Sequence, residues 1–393
     1  MADSLSIYTI PWIKSFIKTS VVFSRHFKDK RQRKRFIDFL KLISLTGSPL
    51  LTDISSVRND IKHYSRSLSH FFNKSDWNPH YFELKRKELV SNNLLKDCEI
   101  IALDSTALAK TGRHFENEGA VYDSRINKLT DGFPLLISTG ITKQKHYSPI
   151  SYLRYSHKDL ESLSENQIKV RFIKDLISLF KNKAKIPIFI ADSGFMRLCI
   201  VVLFLINNIP FLVRTSKRIV ILKSGKRVLT NQLKSGIYSD VRFETRAWEN
   251  IKCNLVVGLY DKDKGERRVF LTNLSLKDYS KTFLLKLYNQ RWFIEESIKE
   301  LKQQFGLEGF RIRSWKGSER FLTLLFFAVT LTHLSLKRHN DWIQYVLPYL
   351  LDYSQAELSF SIYYCRKIFN KILFCGPNIL NLDILPLKQV NSP

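Results

Sequence analysis

The sequence has few of the residues that build fibrous or disulfide-stabilised scaffolds. Its 393 residues include 14 glycines and 11 prolines, which excludes a collagenous or low-complexity chain. The five cysteines are scattered without a C-x-x-C pair, so we expect a reducing, intracellular environment. No signal peptide is expected, because Lys14 and Lys18 interrupt the first apolar residues. The longest uncharged runs, 198–213 and 321–336, fall short of the roughly 20 residues that span a bilayer, so we expect no membrane segment.

Several catalytic motifs are missing as well. The chain has no G-x-x-x-x-G-K-[ST], G-x-G-x-x-G, G-x-S-x-G or H-E-x-x-H sequence, so nucleotide hydrolysis, dinucleotide chemistry and serine or zinc hydrolysis lose their usual support. Acidic residues are also scarce. The 36 acidic residues against 63 lysines and arginines give a formal charge of +27. An excess of this size in a folded protein indicates a polyanionic partner, and we predict nucleic acid.

The basic residues are dense near the N-terminus. Residues 1–95 show helical periodicity and carry 17 basic and 8 acidic side chains. The densest part, K-D-K-R-Q-R-K-R, contains Lys30, Arg31, Arg33 and Lys34. Such a run is typical of a solvated surface, a DNA-contacting arm or a nuclear localisation signal. The charge of the whole chain favours DNA, so we predict a basic, helical DNA-binding domain over 1–95.

From residue 96 the pattern changes to an α/β fold. Short apolar runs alternate with helical periods in the order β-β-β-α-β-α-β, which predicts a mixed sheet with flanking helices over 96–215. Residues 216–275 contain four strand-like runs separated by turn signals and are predicted to form a separate β-rich insertion. A long helical stretch follows from about 276 to 305, within a second part of the core that extends to 336. Residues 337–393 are predicted to be helical, with dimerisation as a candidate role.

Two aspartates follow buried-strand runs. Asp104 comes after I-I-A-L and Asp192 after I-P-I-F-I-A. Carboxylates at the carboxyl ends of neighbouring strands meet at one edge of a sheet, where they can share a hard cation such as Mg²⁺. The alternative is that each aspartate caps the turn that follows it.

A third set of polar residues lies in L-Y-N-Q-R-W-F-I-E-E-S-I-K-E-L-K. On one ideal helix Tyr288, Arg291, Glu295 and Lys302 share a narrow stripe that borders the apolar face. Glu296 points about 100° away from Glu295, toward the exposed face. The alternative is a surface ion-pair ladder, since Arg291 and Glu295 are four residues apart.

The spacing Y-x2-R-x3-E-x6-K resembles the YREK signature of DDE transposases from cut-and-paste bacterial insertion sequences. The strings R-W-F-I-E and L-K-Q-Q-F-G are similar to the family's residues around the signature. Asp104 and Asp192 precede it in the family's order, and F-L-V-R-T-S-K, with Arg214, resembles the segment after the second aspartate. The resemblance covers roughly 96–335. Trp248 is a weak counterpart of the family's base-stacking tryptophan, and a buried position in the insertion is the alternative.

This resemblance implies a ribonuclease-H-like catalytic core that cleaves and joins DNA. Asp104, Asp192 and Glu295 would be the catalytic residues and would hold two Mg²⁺ ions, with Mn²⁺ as a possible substitute. Phosphate contacts would come from Tyr288, Arg291, Lys302 and Arg214, and from Arg311, Arg313 and Lys316. The partners would be double-stranded DNA, both transposon ends and target DNA, and cleavage would pass through a hairpin end. The protein would form a homodimer in the synaptic complex and would be located in the bacterial cytoplasm, associated with the nucleoid. A nuclease on the same fold that does not join strands and a catalytically dead DNA-binding protein are the alternatives.

Overall fold

The computed structural model describes residues 11–51, 61–110, 114–123, 126–181, 183, 185–215, 218–243, 251–261 and 266–338. They divide into two compact units. The helical unit comprises the described residues of Met1–Arg86, His114–Glu116 and Lys299–Pro393. The sheet unit comprises those of Lys87–Arg113 and Asn117–Ile298. Of the predicted segment 337–393 only 337 and 338 are described, and Trp248 lies outside the described residues. The five predicted domains stay predictions.

The helices follow the apolar periodicity of the sequence. They are α1 (Pro11–Ser24), α2 (Lys30–Thr46), α3 (Ile61–Asn73), α4 (Pro79–Leu89), α5 (His157–Ser162), α6 (Glu165–Ser178), α7 (Leu198–Ile206), α8 (Lys281–Asn289), α9 (Trp292–Gln304) and α10 (Trp315–Arg338). The spacing of Ser164 and Gln167 in S-E-N-Q predicts a capping box, and the structure contains it. The Ser164 hydroxyl accepts from the Gln167 backbone N–H while the Gln167 side chain accepts from the Ser164 N–H, which fixes the start of α6.

The strands of the sheet unit belong to one sheet of 11 strands among the described residues. They are β1 (Cys98–Ala109), β2 (Gly119–Asp123), β3 (Lys128–Thr142), β4 (Tyr147–Arg154), β5 (Ile188–Ala191), β6 (Phe211–Arg214), β7 (Ile219–Ile221), β8 (Arg227–Leu229), β9 (Gly236–Phe243), β10 (Cys253–Asp261) and β11 (Glu266–Thr272). The order is β2-β3-β1-β5-β6-β11-β10-β9-β7-β8, with β4 paired to β3.

The sheet is mixed, as predicted. β1, β5 and β6 run parallel to one another, and the other pairs are antiparallel. The strands predicted for the insertion are hydrogen-bonded to the core sheet. β11 pairs with β6 from Phe270↔Arg214 to Thr272↔Leu212, so these strands continue that sheet, and an insertion over 216–275 stays a prediction. Phe270 and Leu271 point to opposite faces of the sheet and are both buried, so β11 is covered on both faces, as an interior strand is.

Aromatic side chains form the core of the helical unit. The Phe27 ring lies 5.0–5.9 Å from four other rings, those of Phe36, Phe71, Trp77 and Phe82. The buried Arg320 of α10 donates to the backbone carbonyls of Phe72 (2.9 Å) and Trp77 (2.7 Å). α10 is long and apolar enough to cross a membrane by length and composition, but 94% of its most apolar 18-residue window is buried inside the protein, as in the core helix of a soluble protein.

Candidate active site

Asp192 directly follows β5 and precedes a turn of 3₁₀ helix, Ser193–Phe195. Its side chain makes no capping hydrogen bond to this turn, so the structure does not support the capping alternative. Its Oδ1 atom is buried and accepts no hydrogen bond from any described residue. Arg214 Nη1, at the end of β6, lies 3.9 Å from Oδ1, which is within ion-pair distance but too far for a hydrogen bond. Asp192 is therefore a carboxylate whose inner oxygen is available to a ligand.

Asp104 lies inside β1, and the prediction that the strand ends there is wrong. The strand continues through S-T-A-L-A to Ala109, because these residues stay paired with β3 as far as Gly132. What ends at this point is the parallel pairing with β5, whose last pair is Leu103↔Ala191. Asp104 and Asp192 thus follow the last paired residues of two neighbouring parallel strands, which is the juxtaposition that the sequence predicted.

The helix predicted over 276–305 is two helices. α8 ends at Asn289 and α9 begins at Trp292, with Arg291 at the junction. Backbone hydrogen bonds between residues i+3 and i, the 3₁₀ pattern, replace the α-helical pattern there. Arg291 N donates to Tyr288 O (2.9 Å), and Ile294 N donates to Arg291 O (3.0 Å). The prediction that Tyr288, Arg291, Glu295 and Lys302 share one stripe on a single ideal helix is therefore wrong, because the helix is interrupted between Tyr288 and Glu295.

The Arg291 side chain contacts residues of both β1 and α9. Its Nη1 donates to Asp104 Oδ2 at 3.1 Å, and its Nη2 pairs with Glu295 Oε1. The alternative of an i,i+4 pair with Glu295 is present, but the same guanidinium also binds a carboxylate 187 residues away. Only 20% of the Arg291 side chain is exposed, so both contacts are partly shielded from water. One cation thereby holds two of the three predicted catalytic carboxylates together.

The protonation of Asp104 depends on its burial and on the charges around it. Burial raises the pKa of Asp104, and the charges of Asp192 and Glu295 raise it further. The Ser105 backbone N–H, which donates to Asp104 Oδ1 at 2.8 Å, and the Arg291 guanidinium oppose this rise. A carboxyl with a raised pKa beside two like charges is an arrangement that a bound cation relieves. Asp192 and Glu295 are therefore near enough to Asp104 for their charges to act on it.

Tyr288 lies in the apolar core behind the carboxylates. Its ring is 4.3 Å from that of Phe270, and only 4% of the residue is exposed. Burial raises its pKa to about 12, which the charge of Arg291 opposes. Its hydroxyl is buried and has no hydrogen-bond partner among the described residues. Arg268 of β11 also acts on this hydroxyl electrostatically. Sequence reasoning missed Arg268, which looks like an ordinary strand residue in R-R-V-F.

The remaining predicted DNA contacts belong to the helical unit. Lys302 Nζ pairs with Glu308 Oε1 at 2.6 Å, whereas the other three cations of this part of the chain, Arg311, Arg313 and Lys316, are exposed. At the start of α2, Lys30, Arg31 and Lys34 are exposed as well. Arg33 differs, because its Nε donates to Phe27 O at 2.6 Å and so has a structural partner.

The exposed-face prediction for Glu296 is wrong. Glu296 is half-buried, whereas 47% of the Glu295 side chain is exposed. The helix break at Arg291 accounts for the difference, because α9 starts afresh at Trp292 and its rotation is not set by Tyr288.

The donor chemistry of the site fits a hard divalent cation. The charges of Asp192 and Glu295 act on the Asp104 carboxylate, and Asp192 Oδ1 is buried without a hydrogen bond from the described residues. As arranged here, no group of three or more His, Cys, Asp or Glu side chains within the described ranges is set to hold a metal ion. Arg291 supplies the positive charge between Asp104 and Glu295 instead. A cation at these carboxylates therefore requires Arg291 to shift.

Comparison with known protein families gives one finding. A family model described as "Transposase DDE domain" matches residues 160–331, somewhat less than half of the chain. The match includes Asp192, Arg214, Arg291 and Glu295, while Asp104 lies before it. A search of curated proteins gave no match. The family match supports a transposase-type function for this region and, in general, DNA as its partner.

Proposed function

We propose that the protein is a DDE transposase of the cut-and-paste type, with the YREK signature and a ribonuclease-H-like core, which cleaves and joins DNA at transposon ends. The observation that carries the proposal is the Arg291 bridge. It links Asp104 of β1 to Glu295 of α9, and Asp104 also lies close enough to Asp192, after the neighbouring strand β5, for the charge of Asp192 to act on it. These are the three acidic residues that the family resemblance requires.

In this proposal Asp104, Asp192 and Glu295 supply oxygen ligands for Mg²⁺, and Mn²⁺ would be a substitute. When bound, the metal would supply Lewis-acid charge to the attacked phosphodiester and to the oxygens that attack and leave. Asp192 is prepared for this role because its inner oxygen has no competing hydrogen bond. Asp104 is prepared because burial, together with the charges of Asp192 and Glu295, raises its pKa, and a bound cation would favour its charged form.

The arginines would act on the DNA backbone. Arg291 presents a planar fork, which suits two phosphate oxygens as well as it suits carboxylates. We infer that Arg291 transfers from the carboxylates to a phosphate when DNA and metal arrive. Arg214 is 45% exposed beside Asp192, so it would reach the same phosphate from the strand side. Tyr288 would add its unpartnered hydroxyl as a neutral donor, because its high pKa keeps it protonated at neutral pH.

The start of α2 supports a DNA-binding role for the N-terminal residues. Lys30 and Arg31 lie in its first turn, where the helix dipole disfavours positive charge. The N-cap residue Asp29 accepts from the Arg31 N–H at 2.7 Å and so caps this helix terminus. A DNA phosphate at this position would bind the exposed Lys30 and Arg31 side chains. Dimerisation, a hairpin end and an association with the bacterial nucleoid stay predictions of the family resemblance.

Incubation with a supercoiled plasmid that carries the DNA flanking the gene tests the proposal. We expect double-strand cleavage at defined positions with Mg²⁺ and none in EDTA. A precut, labelled end should then join to a second plasmid. Cleavage without joining would identify a nuclease instead, and binding without cleavage would identify a DNA-binding protein with an inactive site.

A further inference from the structure

The 3₁₀ turn after Asp192 is fastened to the rest of the sheet unit by a buried lysine. Within the turn, Asp192 O accepts from Phe195 N and Ser193 O accepts from Met196 N, both at 3.0 Å. The next carbonyl, that of Gly194, accepts from Lys169 Nζ of α6 at 3.0 Å. Lys169 thus continues the hydrogen bonding of the turn from outside it.

The position of Lys169 is unusual for a lysine. Its side chain is only 6% exposed, and lysines are rarely this buried without specific partners. Its partners are Gly194 O, Glu165 Oε1 at 2.6 Å, and the ring of the buried Phe195, whose centroid lies 5.2 Å from Nζ. Two of these three belong to the turn. Lys174 on the same helix is exposed, so burial is a property of this position and not of the helix.

No described residue holds the side chain of Asp192 in a comparable way. Its side chain does not cap the turn, its inner oxygen accepts no hydrogen bond from the described residues, and Arg214 is 3.9 Å away. The direction of its carboxylate therefore depends on the backbone of the turn. A shift of about 1 Å in a catalytic group is enough to lower a rate by roughly 10²-fold.

We propose that Lys169 is a positioning residue: by binding Gly194 O and Phe195 it holds the Ser193–Phe195 turn and thereby aims the carboxylate of Asp192. The consequence for DNA cleavage rests on the proposed function. The consequence for the turn itself does not, and it can be measured separately.

The test compares Lys169→Met with Lys174→Met. Both variants remove one positive charge from α6, but only the first removes the contact to Gly194. Lys169→Met should fold, because methionine has a similar length and Glu165, with 55% of its side chain exposed, stays solvated. Glu165→Gln and Lys169→Arg complete the set. Glu165→Gln weakens the ion pair that holds Lys169 without placing a new group in the interior. Lys169→Arg keeps a donor for Gly194 O.

Two readouts separate this proposal from the proposed function. Amide hydrogen exchange of a peptide covering 193–197 should be faster in Lys169→Met than in Lys174→Met, with β1 unchanged. With the flanking-DNA plasmid, Lys169→Met should lose about 10²-fold in the cleavage rate at saturating DNA, with DNA affinity within about twofold. Lys169→Arg and Glu165→Gln should lose less.

Each outcome has a definite meaning. If the wild-type protein does not cleave, the proposed function fails, and hydrogen exchange still decides whether Lys169 holds the turn. Equal exchange in the two methionine variants would overturn the proposal, as would faster exchange with an unchanged cleavage rate. If Lys169→Met does not fold, wild-type hydrogen exchange at 193–197 and wild-type cleavage in Glu165→Gln would overturn it as well, while Lys169→Arg should stay near wild type because it keeps the donor.

Discussion

Asp104 and Asp192 follow nearly the same sequence and are held in different ways. Each comes after an apolar run of residues, and each precedes a serine. The carboxylate of Asp104 is held by other groups, the Ser105 N–H and the Arg291 guanidinium. The carboxylate of Asp192 has no hydrogen bond at its inner oxygen and is directed by the turn that carries it. Similar motifs can thus bring two carboxylates to one site by two mechanisms, one through side chains and one through the backbone.

The largest expected effect is a loss of DNA cleavage that is the same for both aspartates. Asp104→Asn and Asp192→Asn should each reduce Mg²⁺-dependent cleavage of the flanking-DNA plasmid by several orders of magnitude, because each removes a metal ligand. Binding of the same DNA should stay intact or improve, since repulsion of phosphate is relieved. Asp175→Asn on the exposed face of α6 is the matched control and should cleave normally. Full activity in either site variant would remove that aspartate from the site.

The second prediction concerns adjacent residues of α9. Glu295→Gln should abolish cleavage, because Glu295 shares Arg291 with Asp104, whereas Glu296→Gln should retain most activity. Both variants remove one negative charge from the same helix turn, so a general charge effect would be common to both. Gel analysis of plasmid cleavage compares them directly. Equal losses would show that the helix contributes charge and not a ligand.

The third prediction compares the arginines beside the two aspartates. Arg291→Lys should lower cleavage by about 10- to 100-fold, because a lysine cannot bind two partners through a planar fork and a hydrogen bond to a charged group contributes about 1.5–3 kcal/mol. Arg214→Lys should lower it by less than about threefold, since Arg214 lies beyond hydrogen-bond distance of Asp192 and is nearly half exposed. Cleavage rates at saturating DNA measure both. The reverse order would mean that Arg214 is the principal phosphate contact.

The smallest expected effect is a difference in the free energy of unfolding between the variants of the two aspartates. Burial raises the pKa of Asp104 in the folded protein, so the folded state binds its proton more tightly than the unfolded chain. Stability from this group is present at low pH and is lost as the pH rises through the folded-state pKa. Asp104→Asn, which is neutral at every pH, should therefore be more stable than wild type near neutral pH.

Urea unfolding in EDTA measures this difference. The advantage of Asp104→Asn should shrink as the pH falls toward the unfolded-state value of about 4. Asp192→Asn should change the free energy of unfolding by no more than about 0.5 kcal/mol, because its inner oxygen has no hydrogen bond to lose. Destabilisation by Asp104→Asn near neutral pH would show that its ion pair with Arg291 outweighs its burial.

Much of the fold could be predicted from the sequence. Apolar runs bounded by turn residues identified the strands around Asp104 and Asp192, and the capping box located the start of α6. Two strands were missed, β2 and β8, because they are short and mostly polar or exposed. The end of β1 was placed too early because Ser105 and Thr106 interrupt its apolar run while their backbones stay paired with β3.

The site was predictable in its residue types but not in its contacts. The break between α8 and α9 falls at Gln290 and Arg291, where no glycine or proline marks it. The Arg291–Asp104 contact joins residues 187 apart, which no local pattern encodes. Lys169 gave no signal either, because a lysine four residues after Glu165 looks like an ordinary surface pair.

The central claim is that Asp104, Asp192 and Glu295 form one metal site that cleaves DNA. The most direct test is the anomalous scattering of crystals of the full chain grown with Mn²⁺ and flanking DNA. The account predicts Mn²⁺ density contacting the carboxylates of Asp104 and Asp192, with Glu295 completing the site and Arg291 moved onto a phosphate. Ordered DNA with no Mn²⁺ at these carboxylates, and Arg291 still bridging Asp104 and Glu295, would contradict it.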